Sequence, residues 1–280
     1  MKEFENHLIS AKLSANTIKS YLSDLNLFFR FAQTNKINKD HVLSYRQYLQ
    51  GQNKNASTIN RALSAIRKYA EFVEQADLIT PGDFITIQKS YSSPTIVTRE
   101  EVEKFLRSLR KWSGRDSYRN YCIAVVIVSS GLRISEVLDL RLCDLATLDT
   151  AGEITIIGKG DKQRKVVINN GAVDVLKHYL KCERIRYRHA ATSEYVFVSN
   201  KAEKLYPSTI QKIFKEHNPK IHPHMLRHFF ATNAYDKGLL NLRQLQEQLG
   251  HNRLDTVQRY THPNRNSMVE GLNRKEGCFK

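Results

Sequence analysis

The stretch Tyr118-Arg119-Asn120-Tyr121-Cys122-Ile123-Ala124-Val125-Val126-Ile127-Val128-Ser129-Ser130-Gly131-Leu132-Arg133 runs from a nearly all-apolar segment into a glycine and then an arginine. Its length and the Gly131 stop favour a buried helix, although periodicity by itself leaves a core strand open. Arg133 then stands at the start of the next helix, where free backbone N–H groups favour an anion. An arginine after a glycine is more often a surface ion-pair partner, and Glu136, one turn on, is the obvious candidate for that role.

Upstream, Ile18, Tyr21, Leu22, Leu25, Phe28, Phe29 and Ala32 recur at the spacing of one helical face, and Ile59, Leu63, Ile66, Tyr69, Ala70 and Val73 do the same after Ser57, a plausible cap. A leading helix near Phe4 to Leu13 and a shorter one from Val42 to Leu49, ended by Gly51, complete a helical bundle. Residues 77–97, with Pro81-Gly82-Asp83 and Ser90-Tyr91-Ser92-Ser93-Pro94, break the periodicity and read as a linker. Thr98 with Glu101 forms a capping box that opens the next helix. Glu153 to Ile157 and Lys165 to Ile168 are β-branched runs around Gly158-Lys159-Gly160-Asp161-Lys162, which predicts a hairpin. Helices follow, interrupted by a short strand at Tyr195 to Val198 and by Pro207, Pro219 and Pro223. The expected fold class is mainly α with a small β-sheet. The expected boundaries are a helical domain over 1–80, a linker over 81–97 and a second, mixed domain over 98–280.

The chain has 280 residues, with 44 Lys+Arg against 28 Asp+Glu and a net charge of +16, which suits a polyanionic partner through counterion release. Residues 1–97 hold 12 basic and 8 acidic side chains and residues 98–280 hold 32 and 20, so most of the positive field belongs to the second domain. The longest apolar run, Cys122 to Val128, has seven residues, far short of the roughly 18–20 a membrane span needs. The acidic start Met1-Lys2-Glu3-Phe4-Glu5 is unlike a signal peptide, so the expected location is the cytoplasm. Cys122, Cys143, Cys182 and Cys278 show no CxxC pair, and reduced thiols are expected. Lys19, Arg61, Arg67 and Lys68 on the first domain's helices are candidates for a phosphate-facing stripe, a solvated helix face being the commoner fate of such charges.

Attack on a phosphodiester needs a nucleophile in line with the leaving oxygen and donors around the non-bridging oxygens. Arginine suits the second task because its planar fork pairs two oxygens at once and stays charged. Arg227 lies three residues after His224, on one helical face if Pro223 opens that helix. Arg133, Arg227, His224 and His251 are thus able to encircle one phosphate, each preorganised donor worth roughly 3–4 kcal/mol. Tyr260, nine residues past His251, is the candidate nucleophile. His222-x-His224-x3-His228 is a poor metal cluster, because Pro223 separates the first two and only His224 and His228 have clean helical spacing. No metal is expected there.

In this order and register the segments resemble the tyrosine recombinase, or phage-type integrase, family. Ser130-Gly131-Leu132-Arg133-Ile134-Ser135-Glu136-Val137 is similar to its first arginine box. Gly158-Lys159-Gly160-Asp161-Lys162-Gln163-Arg164 is similar to the hairpin carrying its lysine, and His222-Pro223-His224-Met225-Leu226-Arg227-His228 to its His-x-x-Arg box. Leu249-Gly250-His251 and Tyr260-Thr261-His262 are similar to its last two motifs. The resemblance, from about residue 5 to 263, implies a SAM-like core-binding domain followed by a catalytic domain.

The resemblance also implies roles. Tyr260 would attack the scissile phosphate and join the DNA 3′ end, with Arg133, Arg227 and His251 on the phosphate oxygens. His224 would take the phenol proton, because a phenol with a pKa near 10 is a poor nucleophile at neutral pH. Lys159 would protonate the leaving oxygen, with Lys162 and Lys165 on the same hairpin as alternatives. Glu136 would orient the site without reacting. Such chemistry needs no ATP, metal or other cofactor. The implied partners are a double-stranded DNA recombination site and a homo-tetramer on two sites, with accessory repeats or proteins left open. Residues 264–280, including Met268, Val269, Leu272 and Phe279, would dock on a neighbouring protomer, or else form a frayed terminus.

Within the family the chain is similar to Xer-type enzymes and transposon-borne resolvases. Its first helix begins almost at Met1, without a separate arm-binding domain, which favours resolution of transposon cointegrates over arm-dependent integration. Phage or element integration and chromosome or plasmid dimer resolution are the alternatives within the class, and a type IB topoisomerase and a non-enzymatic DNA-binding regulator those outside it. Base readers could lie on the second and fourth helices and around Lys201 to Gln211.

Overall fold

The computed structural model describes residues 1–34, 36–86, 97–157 and 163–250. The chain divides into two compact units, Met1–Ser92 and Ser93–Lys280.

The first unit is built from α1 (Lys2–Ser10), α2 (Ala15–Ala32), α3 (Lys39–Gly51) and α4 (Ala56–Phe72). Phe4, Leu8, Leu25, Phe28, Val42, Tyr45, Leu63 and Ile66 fill its core. Each of the last three helices is started by a side-chain cap that takes up an orphan N–H: Ser14 accepts from Thr17, Asn38 from His41 and Asn55 from Thr58. The fourth cap is therefore Asn55, not Ser57, which lies inside the first turn. Asp24, buried on α2, receives both arms of the Arg61 guanidinium from α4 at 2.8 and 2.9 Å.

Loss of periodicity after residue 76 does not mark the end of this unit. Residues 77–86, read from sequence as the start of a linker, pack on the bundle: Ile79 is buried, and Leu78, Phe84 and Ile85 lie against the same core. Short 3-10 turns at Ala76–Leu78 and Pro81–Asp83 replace helical periodicity with local bends. Lys39 reaches over from α3 to the Leu78 carbonyl and to Asp83. That lysine, with the backbone and hydroxyl of Thr80, holds the Asp83 carboxyl down at about 2 against the opposing effect of burial.

In the second unit α5 (Arg99–Lys111) packs on α6 (Ser117–Ser130). The Thr98–Glu101 box starts α5 as expected, with reciprocal bonds of 3.2 and 2.9 Å. Cys122, Ile123, Ala124, Val126 and Ile127 of α6 are buried, which decides for the buried helix. Then come α7 (Ile134–Leu138), α8 (Leu148–Ala151), the antiparallel pair β1 (Glu153–Ile157) and β2 (Gln163–Val167), and α9 (Asn170–His178). The unit continues with α10 (Pro207–His217), α11 (Pro223–Asp236), which packs on α6, and α12 (Leu242–Leu249).

Tyr195 to Val198 is not a strand. Only Tyr195 makes an isolated bridge, to Arg141, although Val196, Phe197 and Val198 are buried as a core strand would be. The carbonyls that a neighbouring strand would bind are taken by side chains instead. Arg184 donates to Ser193, Tyr195 and Val196, and Arg119 to Val198. Among the described residues no helix is long and apolar enough to cross a membrane.

One polar side chain fastens the end of the first unit. Asn60 of α4 donates to the Ile85 carbonyl and accepts its N–H, both at 2.8 Å. Asn60→Ala should therefore lower the stability of this unit by about 1–3 kcal/mol through two unmet backbone groups. Limited proteolysis should cut the 84–86 segment sooner, while the second unit's protection stays unchanged.

Candidate active site

The site grows from the end of α6. Gly131 adopts φ +70 and its carbonyl points back towards α11; a Cβ there would come within 2.4 Å of Phe230 and 2.7 Å of Leu249. This close approach brings the arginine box under the helices that carry the later motifs. Arg133 follows as the cap residue of α7, and Glu136 Oε2 accepts its backbone N–H at 2.8 Å.

Glu136 is the hub. Its Oε1 accepts from the Arg133 guanidinium at 2.9 Å and from Arg164 of β2 at 3.1 Å, while Arg227 of α11 lies 3.8 Å from Oε2. Burial pushes the Glu136 carboxyl up, but the Arg133 N–H and the charges of Arg164, Arg133 and Arg227 outweigh it, leaving the group below its ordinary range. Arg133 is thus ion-paired with Glu136, the commoner fate weighed from sequence, and is also part of a larger cluster. Its side chain remains 39% exposed.

Arg227 is 3% exposed and donates to the Gly131 carbonyl at 2.6 Å and to the Leu249 carbonyl at 2.9 Å. It therefore ties the C-terminal ends of α6 and α12, whose last carbonyls have no helical partner, into one charged cluster. Pro223 does open α11, with His222 as the cap accepting the Met225 N–H through Nδ1. His224 sits one residue further on and is exposed. Partial desolvation, then the positive charges of Arg227, His222 and Arg133, hold its imidazole below the ordinary histidine value. It is therefore predominantly neutral at neutral pH and able to accept a proton.

Lys159, His251 and Tyr260, together with the 264–280 tail, lie outside the described residues. Their anchors are within them. The hairpin that carries Lys159 is registered from Glu153 opposite Val167 to Ile157 opposite Gln163, and Gly250, just before His251, closes α12 at φ +64.

Of the four proposed phosphate contacts in the first unit, Arg61 is committed to Asp24. Lys68 pairs with Glu71 at 2.7 Å, and Arg67 lies 3.8 Å from the same carboxylate and 5.4 Å from the Phe84 ring centroid. Lys19 lines a groove with Ile18, Leu22 and Arg30. Exposed pairs such as Lys68–Glu71 are worth little and exchange readily for phosphate; the Arg61 fork holds α2 to α4.

Two residues of the site were missed in the sequence. Arg164 lies within the hairpin box, and its signal is strand periodicity, since it shares a face with the buried Val166. Gln248 has no comparable signal. Its amide oxygen accepts the Val167 N–H at 3.2 Å, and its amide nitrogen donates to the Val167 and Ser130 carbonyls at 2.7 and 3.1 Å. It extends the two-stranded sheet by one side-chain rung and joins β2, α6 and α12. Gln248→Ala should cost about 1–3 kcal/mol, as the buried Ser130 carbonyl and the part-buried backbone groups of Val167 lose their partner. Denaturant unfolding monitored in the second unit would measure this.

The phage integrase family model matches residues 95–267, and the phage integrase N-terminal SAM-like domain matches residues 1–77. The TnP I resolvase of Bacillus thuringiensis is 34% identical over 275 residues, covering 94% of this chain and 95% of the relative. Tyrosine recombinase XerD of Halalkalibacterium halodurans is 31% identical, covering 91% of this chain and 90% of the relative. Among solved structures, a XerH site-specific recombinase bound to palindromic difH substrate in a post-cleavage complex matches with a TM-score of 0.71 and 26% identity, covering 92% of this chain and 80% of that one. Two helical and mixed units in the expected order, an arginine cluster on one glutamate, and these matches together place the chain in the phage integrase family, the tyrosine recombinases.

Proposed function

We propose that this tyrosine recombinase breaks and rejoins DNA through a 3′-phosphotyrosyl intermediate and that it resolves transposon cointegrates. The observation that carries the chemistry is the convergence of Arg133 and Arg227 on Glu136; desolvation and the charges of both arginines hold the His224 imidazole below its ordinary value. The Tyr260 oxygen attacks phosphorus as its proton passes to His224. The bond to the 5′ oxygen breaks, and Lys159 protonates that oxygen to leave a 5′ hydroxyl. Arg133, Arg227 and His251 stabilise the charge that gathers on the non-bridging oxygens. The bond energy is kept in the tyrosyl link, so the 5′ hydroxyl of a partner strand reverses the attack and rejoins.

The partner in this reading is a double-stranded recombination site. The net charge of +16 supports it, as does the difH complex of the similar XerH enzyme. Four protomers act on two paired sites. The 34% identity to a resolvase supports cointegrate resolution, and the 31% identity to XerD keeps dimer resolution as the second reading. The domain limits proposed are a DNA-binding unit ahead of the linker and a catalytic domain from residue 98 onwards.

Incubating the protein in EDTA with nicked duplexes from the DNA flanking its coding sequence should give a covalent protein–DNA band on a denaturing gel. Tyr260→Phe should bind the same fragments and give no band; a band in that variant would refute Tyr260 as nucleophile. Because the His224 value is lowered, the rate of band formation should stay high through neutral pH and fall only below about pH 6.5. His224→Gln should be slow throughout and lose that acid limb. A plasmid carrying two directly repeated sites should be resolved into two circles, whereas relaxation without paired sites would point to a topoisomerase.

A further inference from the structure

Arg164 has no role in the chemistry just described, yet it is the third guanidinium on Glu136. It comes from β2, and its side chain is 16% exposed. Its guanidinium lies against Gly250: a Cβ at that glycine would come within 2.7 Å of Arg164 Cζ. Among the described residues its buried Nε has no hydrogen-bond partner, and its Nη2 donates to Glu136 Oε1.

A carboxylate offers about four acceptor directions. On Glu136 those of Oε1 are taken by Arg133 and Arg164, and those of Oε2 by the Arg133 N–H, with Arg227 beyond. Arg133 therefore meets Glu136 through a single guanidinium nitrogen instead of closing the two-bond fork that an isolated arginine–carboxylate pair prefers. Three guanidiniums against one carboxylate also leave two positive charges uncompensated, which matches the doubly negative pentacoordinate phosphorane formed from a singly charged diester.

We propose that Arg164 is a positioning residue for the strand-transfer reaction. By sharing Glu136 Oε1 it prevents that carboxylate from closing on Arg133, and so keeps the Arg133 guanidinium turned outward for the scissile phosphate. This rests on the phosphotyrosyl reading above. Removing Arg164 frees the second acceptor direction of Oε1, to which a further Arg133 nitrogen can donate while Oε2 keeps the Arg133 N–H, and Glu136 then holds the guanidinium back from the phosphate.

The experiment is single-turnover formation of the covalent adduct on a nicked duplex carrying the mapped site, with DNA affinity and melting temperature measured in parallel. Arg164→Ala should slow adduct formation about 10- to 100-fold while DNA affinity changes by less than about twofold. Arg164→Lys, which keeps a charge and a donor, should lie between it and wild type at a matched melting temperature. The decisive variant is Arg164→Ala combined with Glu136→Gln. A neutral amide oxygen still accepts from Arg133 but without the charge assistance that makes the carboxylate contact strong, so the double variant should react faster than Arg164→Ala alone. A double variant that is slower, with losses that multiply, would overturn the proposal in favour of a packing role. So would Arg164→Ala at the wild-type rate. A wild-type protein that forms no adduct would instead remove the phosphotyrosyl reading, and this inference with it.

Discussion

Three arginines from three separate elements converge on the carboxylate of Glu136, and the rest of the second unit is arranged around that convergence. Guanidiniums brought this close repel one another unless a counter-charge lies between them, and a buried carboxylate is costly unless its lone pairs are used. Each cost offsets the other. The result is a cluster with excess positive charge held at the junction of α6, α7, β2 and α11. Removing the carboxylate would leave the buried Arg227 beside two like charges.

The cluster is anchored by backbone at helix ends. Gly131 and Gly250 both close helices in the left-handed region, and the terminal carbonyls near them bind Arg227. Arg227 is thereby positioned by the groups that every helix leaves unsatisfied at its C-terminus. The two-stranded sheet would be marginal alone. Its outer edge is completed by Gln248, so the hairpin bearing Lys159 is secured to the same helix that leads into His251. Among the described residues, hydrogen bonds thus join β2, the end of α6, α11 and α12 to one another.

The first unit follows a simpler logic. Four amphipathic helices bury one apolar core, and its polar work is done by side chains that satisfy particular neighbours: Asp24 for Arg61, Asn60 for Ile85 and Lys39 for Asp83. These contacts explain why residues that look like free surface charge or free linker in the sequence are committed to structure.

Much of this was legible in the sequence. Spacing at three and four marked α2 and α4, a box at Thr98 marked the start of α5, and the β-branched runs marked the hairpin, because each depends on neighbours within a few residues. The order of Arg133, Lys159, His224, Arg227, His251 and Tyr260 also indicated the family, since the segments around them resemble its motifs in register. What the sequence left open depends on contacts across long separations. Tyr195 to Val198 has strand composition, yet Arg184 and Arg119 take its carbonyls. Residues 77–86 have linker composition, yet pack on the first core. Arg164 and Gln248 became site residues only when β2 met α7 and α12, because a carboxylate shared among guanidiniums, or an amide completing a sheet edge, exists only once the tertiary fold has brought its partners within bonding distance.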